Sequence, residues 1–383
     1  MMKQAVVNFV KKVSLAELFY DLIFVLAISR FVNIFEHDDH SKIVFQDFLK
    51  FGLVLISLIN VWVTKTIFIN RYGRDTFVEK LFMLIDMAII MYISYSINNN
   101  WEESFTRFNL AFSFIVFSFV AQFIYFLFAN KEACEYRKAF YIHISFFSVI
   151  GIAIASISQL SYSVGIYPAI VILIITWLVP HFIRFIVKEK PINLPHAIER
   201  LNLLTIIFFG EMLIVLSHYF EHLDWKGILA ILFCGSLFLY YTLFFDNMID
   251  HHKGNKRVYW LFFIHYLIFI ALSLLSLDFE FSIHNQLSLT LIWVICYIAL
   301  IIYVLCLFVI LYLFGKPQYR FNLIYIGSTL WILGFIFGIG FINIGYLFYH
   351  FCLTSSLAVI MVIQLYAFIY SKKDTQKQIN QEH

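Results

Sequence analysis

Long apolar runs are the feature that most restricts how this chain can fold. Successive runs of about 20 residues match the length that one helix needs to cross a bilayer core about 30 Å thick. Backbone groups in lipid must be paired within the protein, so we expect each run to be a helix rather than an irregular segment. The runs are also longer than barrel strands and do not alternate. Twelve can be marked, at approximately 15–35, 46–69, 79–97, 107–129, 138–159, 164–187, 200–219, 227–247, 257–277, 287–314, 321–341 and 346–370.

The composition agrees with a membrane protein. Hydrophobic residues make up 62% of the chain and charged residues 13%, against roughly 25% charged in soluble domains. A soluble enzyme, a disordered chain and a disulfide-stapled secreted domain are therefore excluded. The net charge of +3 is too small to indicate nucleic acid as a partner. The predicted fold class is all-α, a polytopic integral membrane helix bundle of about twelve transmembrane helices, with the lipid bilayer as its partner.

The loop charges predict the orientation. Most of the 27 basic residues fall in alternate connections and near both termini, which the positive-inside rule assigns to the cytoplasm. The intervening connections are acidic, and we expect them outside. Glu17 and Asp21 interrupt the first run, which favours an uncleaved span over a signal peptide. The acids assigned to the outside connections include Glu36, Asp38, Asp39, Asp278 and Glu280.

The chain divides between its sixth and seventh runs. The long inside connection 188–199 separates a first six-helix half, 1–187, from a second, 188–383, which ends in a short tail at 371–383. Both halves would have the same orientation, as in transporters built from parallel repeats. Chance similarity between apolar helices is an equal alternative. The sequence similarity between the two halves is weak. Trp62, Thr66 and Asn70 in the second run correspond to Phe238, Thr242 and Asp246 in the eighth.

Several ionisable residues interrupt the apolar runs. An ionised side chain at the bilayer centre costs about 2.5–3.5 kcal/mol on insertion scales, so such residues normally face the protein interior. Glu211 lies near the midplane of the seventh run, and Gly210 beside it is expected to permit close approach of a helix or ligand. Glu17 and Asp21 share one helix face. A capping box with Ser14 explains Glu17, whereas no cap explains Asp21.

The remaining candidates lie in the cytoplasmic half of their runs. Asp86 and His265 are about 10 and 12 Å deep, and Glu199 begins the seventh run as Glu17 begins the first. This distribution predicts a water-filled vestibule that opens inward, ends near Glu211 and exchanges a proton or cation. Packed ion pairs are the alternative.

No nucleotide-binding loop or catalytic motif is present, and the cysteines within the runs fit small buried apolar residues. We therefore expect no enzyme activity, cofactor or metal.

Two segments carry a family resemblance. Residues 14–28 read SLAELFYDLIFVLAI, and the seventh run contains His196-Ala-Ile-Glu-Arg-Leu followed by a Gly-Glu pair at 210–211. Together they resemble the signatures of the bacterial low temperature requirement protein A family. Met212 and Asp86 depart from the family pattern. Weaker matches are Asn70-Arg71-Tyr72 after Trp62 and Thr66, Phe244-Phe245-Asp246, and His265.

The resemblance implies a multi-pass protein of the bacterial plasma membrane, linked by name to growth in the cold, and supplies no reaction or ligand. With the intramembrane charges, it leads to a predicted secondary transporter or proton- or ion-translocating protein, whose partners are protons, ions or a small molecule. A non-transporting membrane sensor or stress-tolerance protein is the alternative. The oligomeric state is left open. The candidate binding residues are Glu211, Asp21, Asp86, His265, Glu17 and Glu199.

Overall fold

The helical fold class is confirmed. The computed structural model describes residues 11–35, 45–97, 100–130, 135–220, 225–251, 258–284, 287–320, 322–342 and 347–381. Within these ranges it contains twelve α-helices and no strand. Glu36, Asp38 and Asp39 of the first predicted outside connection lie outside the described residues. The helices are α1 (Leu15–Arg30), α2 (Phe45–Tyr72), α3 (Phe77–Ser96), α4 (Trp101–Ala129), α5 (Arg137–Ile157), α6 (Tyr162–Ile186), α7 (Leu194–Ser217), α8 (Trp225–Met248), α9 (Val258–His284), α10 (Leu289–Phe314), α11 (Leu323–Ile342) and α12 (Leu347–Gln381).

Ten of these helices are long and apolar enough to cross a membrane. The other two, α1 and α3, carry three of the candidate acids, Glu17, Asp21 and Asp86. Helix α1 has 16 residues and continues into a 3-10 turn at Phe31–Phe35. Helix α3 contains Glu79, Lys80 and Asp86 within its 20 residues. That α1 and α3 also span the bilayer stays a prediction.

The chain separates into two compact units. The first comprises residues 1–39, 45–204 and 254–259. It contains α1 to α6 and the first part of α7, and its main helix contacts are α4 with α5, and α3 with both α1 and α4. Helix α2 is an interior helix, because 78% of the residues in its apolar stretch are buried. Its polar side chains therefore need partners within the protein.

The second unit comprises residues 40–44, 205–253 and 260–383. It contains the rest of α7, α8 and most of α9, then α10 to α12. Helix α12 packs along α8 and α11, and α10 packs on α11. The predicted division into two parallel six-helix halves stays a prediction.

The predicted end of the ninth span is wrong. Helix α9 extends to His284, so Asp278 and Glu280 lie within the helix and are buried instead of lying in an outside loop. The helix tolerates Asp278 because the side chain has polar partners. Its Oδ2 atom lies 3.1 Å from Nε2 of His350 on α12.

A buried cluster around Glu189 fixes the connection between α6 and α7. The Oε1 atom of Glu189 lies 2.7 Å from Arg71 Nη1 and 2.8 Å from His143 Nε2. Tyr259 donates to the other carboxylate oxygen at 3.2 Å. Burial by itself would raise the pKa of Glu189, but the hydrogen bond from His143 and the charge of Arg71 outweigh it and lower this pKa to about 2.

The low pKa predicts an acid-sensitive contribution to stability. The Glu189 carboxylate stabilises the fold fully above its ordinary pKa of 4.5, and this stabilisation is lost as the pH falls toward 2. The contribution is roughly 3 kcal/mol. Thermal unfolding in detergent should show the wild type losing its advantage over Glu189→Gln between pH 5 and pH 2. An advantage independent of pH would contradict this assignment.

Candidate functional site

The buried charges of the first unit gather between five of its helices. Glu17 and Asp21 come from the start of α1 and Asp86 from the first half of α3. Lys65 lies in the second half of α2, and Arg200 in the first turns of α7. Helix α4 contributes Ser118 and Gln122 from its second half. The structure therefore brings three of the predicted acids, Glu17, Asp21 and Asp86, into one region.

Glu17 has two roles at the start of α1. Its Oε1 atom accepts the Ser14 backbone N–H at 3.1 Å, and its own N–H donates to Ser14 Oγ at 3.3 Å. The predicted capping box is thus confirmed. The second oxygen, Oε2, is not used in the cap. It lies 3.3 Å from His196 Nε2 and 3.6 Å from Arg200 Nη1.

Asp21 lies one turn deeper and is held through a single oxygen. Its Oδ1 atom accepts from Arg200 Nη2 at 2.7 Å and from Trp62 Nε1 at 2.8 Å. The Arg200 guanidinium also stacks on Trp62, with Cζ 5.4 Å from the ring centroid. Trp62 therefore orients the Arg200 guanidinium, whose Nη1 atom faces Glu17 and whose Nη2 atom faces Asp21.

Asp86 forms a closed ion pair with Lys65. Lys65 Nζ lies 2.6 Å from Asp86 Oδ2 and donates to Gln122 Oε1 at 2.7 Å. Ser118 donates to the other Asp86 oxygen at 2.5 Å, and Gln122 Nε2 donates to Ser118 at 3.2 Å. Both carboxylate oxygens of Asp86 accept hydrogen bonds, so the ion pair is part of a complete hydrogen-bond network.

Asn70 determines the tautomer of His196. The Asn193 N–H donates to Asn70 Oδ1 at 2.7 Å, and Asn70 Nδ2 donates back to the Asn193 carbonyl at 3.0 Å. This orientation places Asn70 Nδ2 2.9 Å from His196 Nδ1. An amide nitrogen can only donate, so Nδ1 must accept and the ring proton lies on Nε2, which faces Glu17. His196 is therefore neutral in this arrangement.

Within the helices of this cluster, the carboxyl groups outnumber the guanidinium and ammonium groups. With His196 neutral, Arg200 and Lys65 supply two positive charges against the carboxyl groups of Glu17, Asp21 and Asp86. Lys65 is already paired with Asp86. Glu17 and Asp21 thus share one guanidinium, and buried like charges at such a site favour retention of a proton or attraction of a cation.

Several polar atoms around this shared guanidinium lack hydrogen-bond partners among the described residues. They include Glu17 Oε2, Asp21 Oδ2, Tyr20 Oη and Arg200 Nη1. Buried polar groups normally have protein or water partners. Tyr20 also interacts electrostatically with both Asp21 and Asp86, which places its phenol near both acids. The Glu17 and Asp21 site is therefore polar and incompletely hydrogen-bonded, unlike the closed pair at Asp86.

A cavity of about 400 Å³ reaches Glu17. Lys11 forms part of its wall and donates to the backbone carbonyls of Ile69 and Gly73 at the end of α2. Burial lowers the pKa of Lys11, although the charge of Glu17 opposes this change. The cavity thus joins the capped start of α1 to a mouth with basic side chains. Its lining residues are Lys11, Lys12, Ser14, Glu17, Ile69, Gly73, Arg74, Asp75, Glu79 and Met83.

The other predicted site residues lie elsewhere. Glu199 is exposed although its neighbour Arg200 is fully buried. Glu211 belongs to the second unit, where its polar neighbours among the described residues are Ser276, Cys234 and Glu280. No heavy atom of a described neighbour lies within 4 Å of where a side chain on Gly210 would begin, so the close approach of a helix predicted there is wrong. The approach of a ligand at Gly210 stays a prediction.

His265 is a satisfied core histidine. Its Nδ1 atom lies 2.7 Å from the Leu261 carbonyl, and its Nε2 atom lies 3.2 Å from the Tyr241 hydroxyl. The carbonyl can only accept, so the ring proton lies on Nδ1 and Nε2 accepts from Tyr241. Thr205 donates to the same hydroxyl at 3.1 Å. Both ring nitrogens of His265 therefore form hydrogen bonds within the second unit.

A family model described as bacterial low temperature requirement A protein (LtrA) matches residues 12–366. The chain belongs to the LtrA family. Comparisons with curated proteins and with solved structures found no match.

Part of the residue set that suggested the LtrA family meets in three dimensions. The first motif supplies Glu17 and Asp21, and the second supplies Arg200. Trp62 and Asn70, which accompany the motif at the end of α2, contact Asp21 and His196. The pairing of Arg200 with Asp21 was not predicted, because the partners lie far apart in the chain. The Glu-Arg order of the second motif was the available signal.

Breaking the closed ion pair should destabilise the protein strongly. Asp86→Asn keeps the side-chain shape but leaves Lys65 buried without its counter-charge, which should lower the free energy of unfolding by about 3–5 kcal/mol. Adding Lys65→Met should recover most of the loss. Thermal unfolding in detergent measures both effects.

The exposed pair of Lys80 and Asp75 provides the control, since their side chains are 43% and 51% exposed. Lys80→Ala should change the free energy of unfolding by less than about 1 kcal/mol. Equal effects of Asp86→Asn and Lys80→Ala would show that the buried pair does not stabilise the fold as described.

Proposed function

We propose that this LtrA-family protein is a secondary transporter or proton-translocating protein of the bacterial plasma membrane and not an enzyme. Its proton-exchange site consists of Glu17, Asp21, Arg200 and His196. The observation that carries the proposal is the shared guanidinium, because two buried carboxyl groups face one Arg200 while Asn70 holds His196 neutral.

The site has the parts that proton exchange needs. A proton arriving through the cavity passes Glu17 and binds one of the two carboxyl groups that share Arg200. Protonation removes the competition for Arg200, which then pairs with the other carboxylate alone. Release of the proton returns the guanidinium to both carboxylates. The two arrangements differ in their electrostatic contacts, and a coupled conformational change requires such a difference.

The orientation follows from the basic residues. Lys11 and Lys12 line the mouth of the cavity, and the positive-inside rule places such residues in the cytoplasm. Both termini would then be cytoplasmic, and the site would load from the cytoplasmic side. Tyr20, near Asp21 and Asp86, marks the direction in which the pathway continues from the cavity.

Proton flux in vesicles tests the proposed site. Wild-type protein in phosphatidylethanolamine and phosphatidylglycerol vesicles should dissipate an imposed pH gradient faster than protein-free vesicles. A trapped pH-sensitive dye reports the rate while potassium and valinomycin clamp the membrane potential. Glu17→Gln and Asp21→Asn should lower the flux at least tenfold, because each removes one of the two competing carboxylates.

Glu199→Gln is the matched control, because it removes an exposed acid beside Arg200 and should leave the flux unchanged. Glu211→Gln tests the sequence-based assignment of the pathway's end. A wild-type rate equal to that of protein-free vesicles, or full flux in Glu17→Gln and Asp21→Asn, would contradict the proposal.

Cysteine accessibility separates transport from the alternative of a sensor with packed ion pairs. Met83 lines the cavity, and Ile90 lies two turns further along α3 and is fully buried. In a background without the native cysteines, Met83→Cys should react with a small charged thiol reagent and Ile90→Cys should not. Absence of labelling at both positions would favour the sensor.

A further inference from the structure

The second unit contains a buried cluster that the proposed proton-exchange site does not use. Asp278 on α9, Cys296 on α10 and His350 on α12 are all buried, and one ligand atom from each lies within 4.8 Å of the other two. The His350 Nε2 atom lies 3.1 Å from Asp278 Oδ2, and the Cys296 thiol hydrogen-bonds to the same carboxyl group. We infer that these three side chains form a binding site for a divalent transition metal, with Zn²⁺ as the preferred ion.

The residue types fit this metal. Zinc takes thiolate, imidazole and carboxylate ligands at about 2.0–2.3 Å in tetrahedral geometry. Two such ligand atoms on one ion are about 3.5 Å apart. The three side chains already lie close to this spacing, so small rotamer changes bring them onto one ion. A site with three protein ligands leaves the fourth position for water or another ligand.

Unpartnered atoms support an ion over a simple ion pair. Among the described residues, Asp278 Oδ1 and His350 Nδ1 have no hydrogen-bond partner. A buried carboxylate with one imidazole and one thiol as partners retains unsatisfied acceptor capacity, which is costly in an apolar interior. A bound divalent ion with its water supplies the missing positive charge and hydrogen bonds.

The surrounding packing orients the histidine. The Trp293 ring lies edge-to-face against His350, with centroids 5.2 Å apart. Trp293 occupies this position because α11 has a glycine opposite it. A Cβ atom on Gly340 would lie 1.5 Å from the indole ring. The Trp293 ring therefore packs against His350 while the His350 Nε2 atom faces Asp278.

Binding has a defined proton balance. The Cys296 thiol loses its proton to solvent as the sulfur binds the metal, because the thiolate is the ligand form. Any proton shared between Asp278 and His350 is released in the same step. The bound ion connects α9, α10 and α12, so metal should raise the thermal stability of the folded protein.

Cobalt is the probe that tests this site. Purified full-length protein in detergent is stripped with chelator and titrated with Co²⁺. We expect one equivalent to bind, with visible d–d bands of a tetrahedral ion and a near-ultraviolet thiolate charge-transfer band, and we expect Zn²⁺ to displace it. Zn²⁺ alone should raise the unfolding temperature of the stripped protein.

Variants identify the ligands. Cys296→Ser should abolish the charge-transfer band, and Asp278→Asn and His350→Gln should weaken Co²⁺ binding at least tenfold. Cys306→Ser is the matched control, because Cys306 is a buried cysteine on the same helix and is not part of the cluster. It should leave the spectrum unchanged.

The wild-type spectrum decides the question even if a variant fails to fold. Absence of a thiolate band in folded wild-type protein at one equivalent of Co²⁺ would overturn the inference. So would a band that persists in Cys296→Ser. Neither outcome bears on proton flux, which depends on residues of the first unit.

Discussion

The first unit depends on one arginine placed between two buried acids. Arg200 binds Asp21 at 2.7 Å, faces Glu17 at 3.6 Å and stacks on Trp62. A planar guanidinium can make directional contacts at both ends and stack through its face, which an ammonium group cannot do. The start of α1, the interior of α2 and the start of α7 are therefore connected through a single side chain.

Two kinds of buried charge occur in this protein, and they have different meanings. The Lys65 and Asp86 pair is complete, since both oxygens of the acid have donors. His265 is likewise satisfied at both nitrogens. The Glu17 and Asp21 site has carboxylate oxygens without protein partners and a cavity beside it. An intramembrane charge by itself indicates a protein interior, whereas incomplete satisfaction beside a cavity indicates a place where something can bind.

The sequence predicted local features well and long-range pairing poorly. The helical class, the Glu17 capping box and the shared face of Glu17 and Asp21 depend on contacts within a few residues, and these were predicted correctly. The partners of Asp21 and Asp86 depend on how helices pack, which one sequence does not reveal. The end of α9 was misplaced because an acid normally marks a loop, and the compensating His350 lies on another helix.

The Lys65 and Asp86 pair also bears on the prediction that α3 spans the bilayer. Helix α3 contains three charged residues, which set it apart from the ten apolar helices that could cross a membrane. Lys65 on α2 neutralises one of them and lowers the cost of placing it in lipid. We therefore expect α2 and α3 to leave the translocon together as a hairpin. The order of biosynthesis supports this, because α2 emerges from the ribosome first and already holds the lysine when α3 follows.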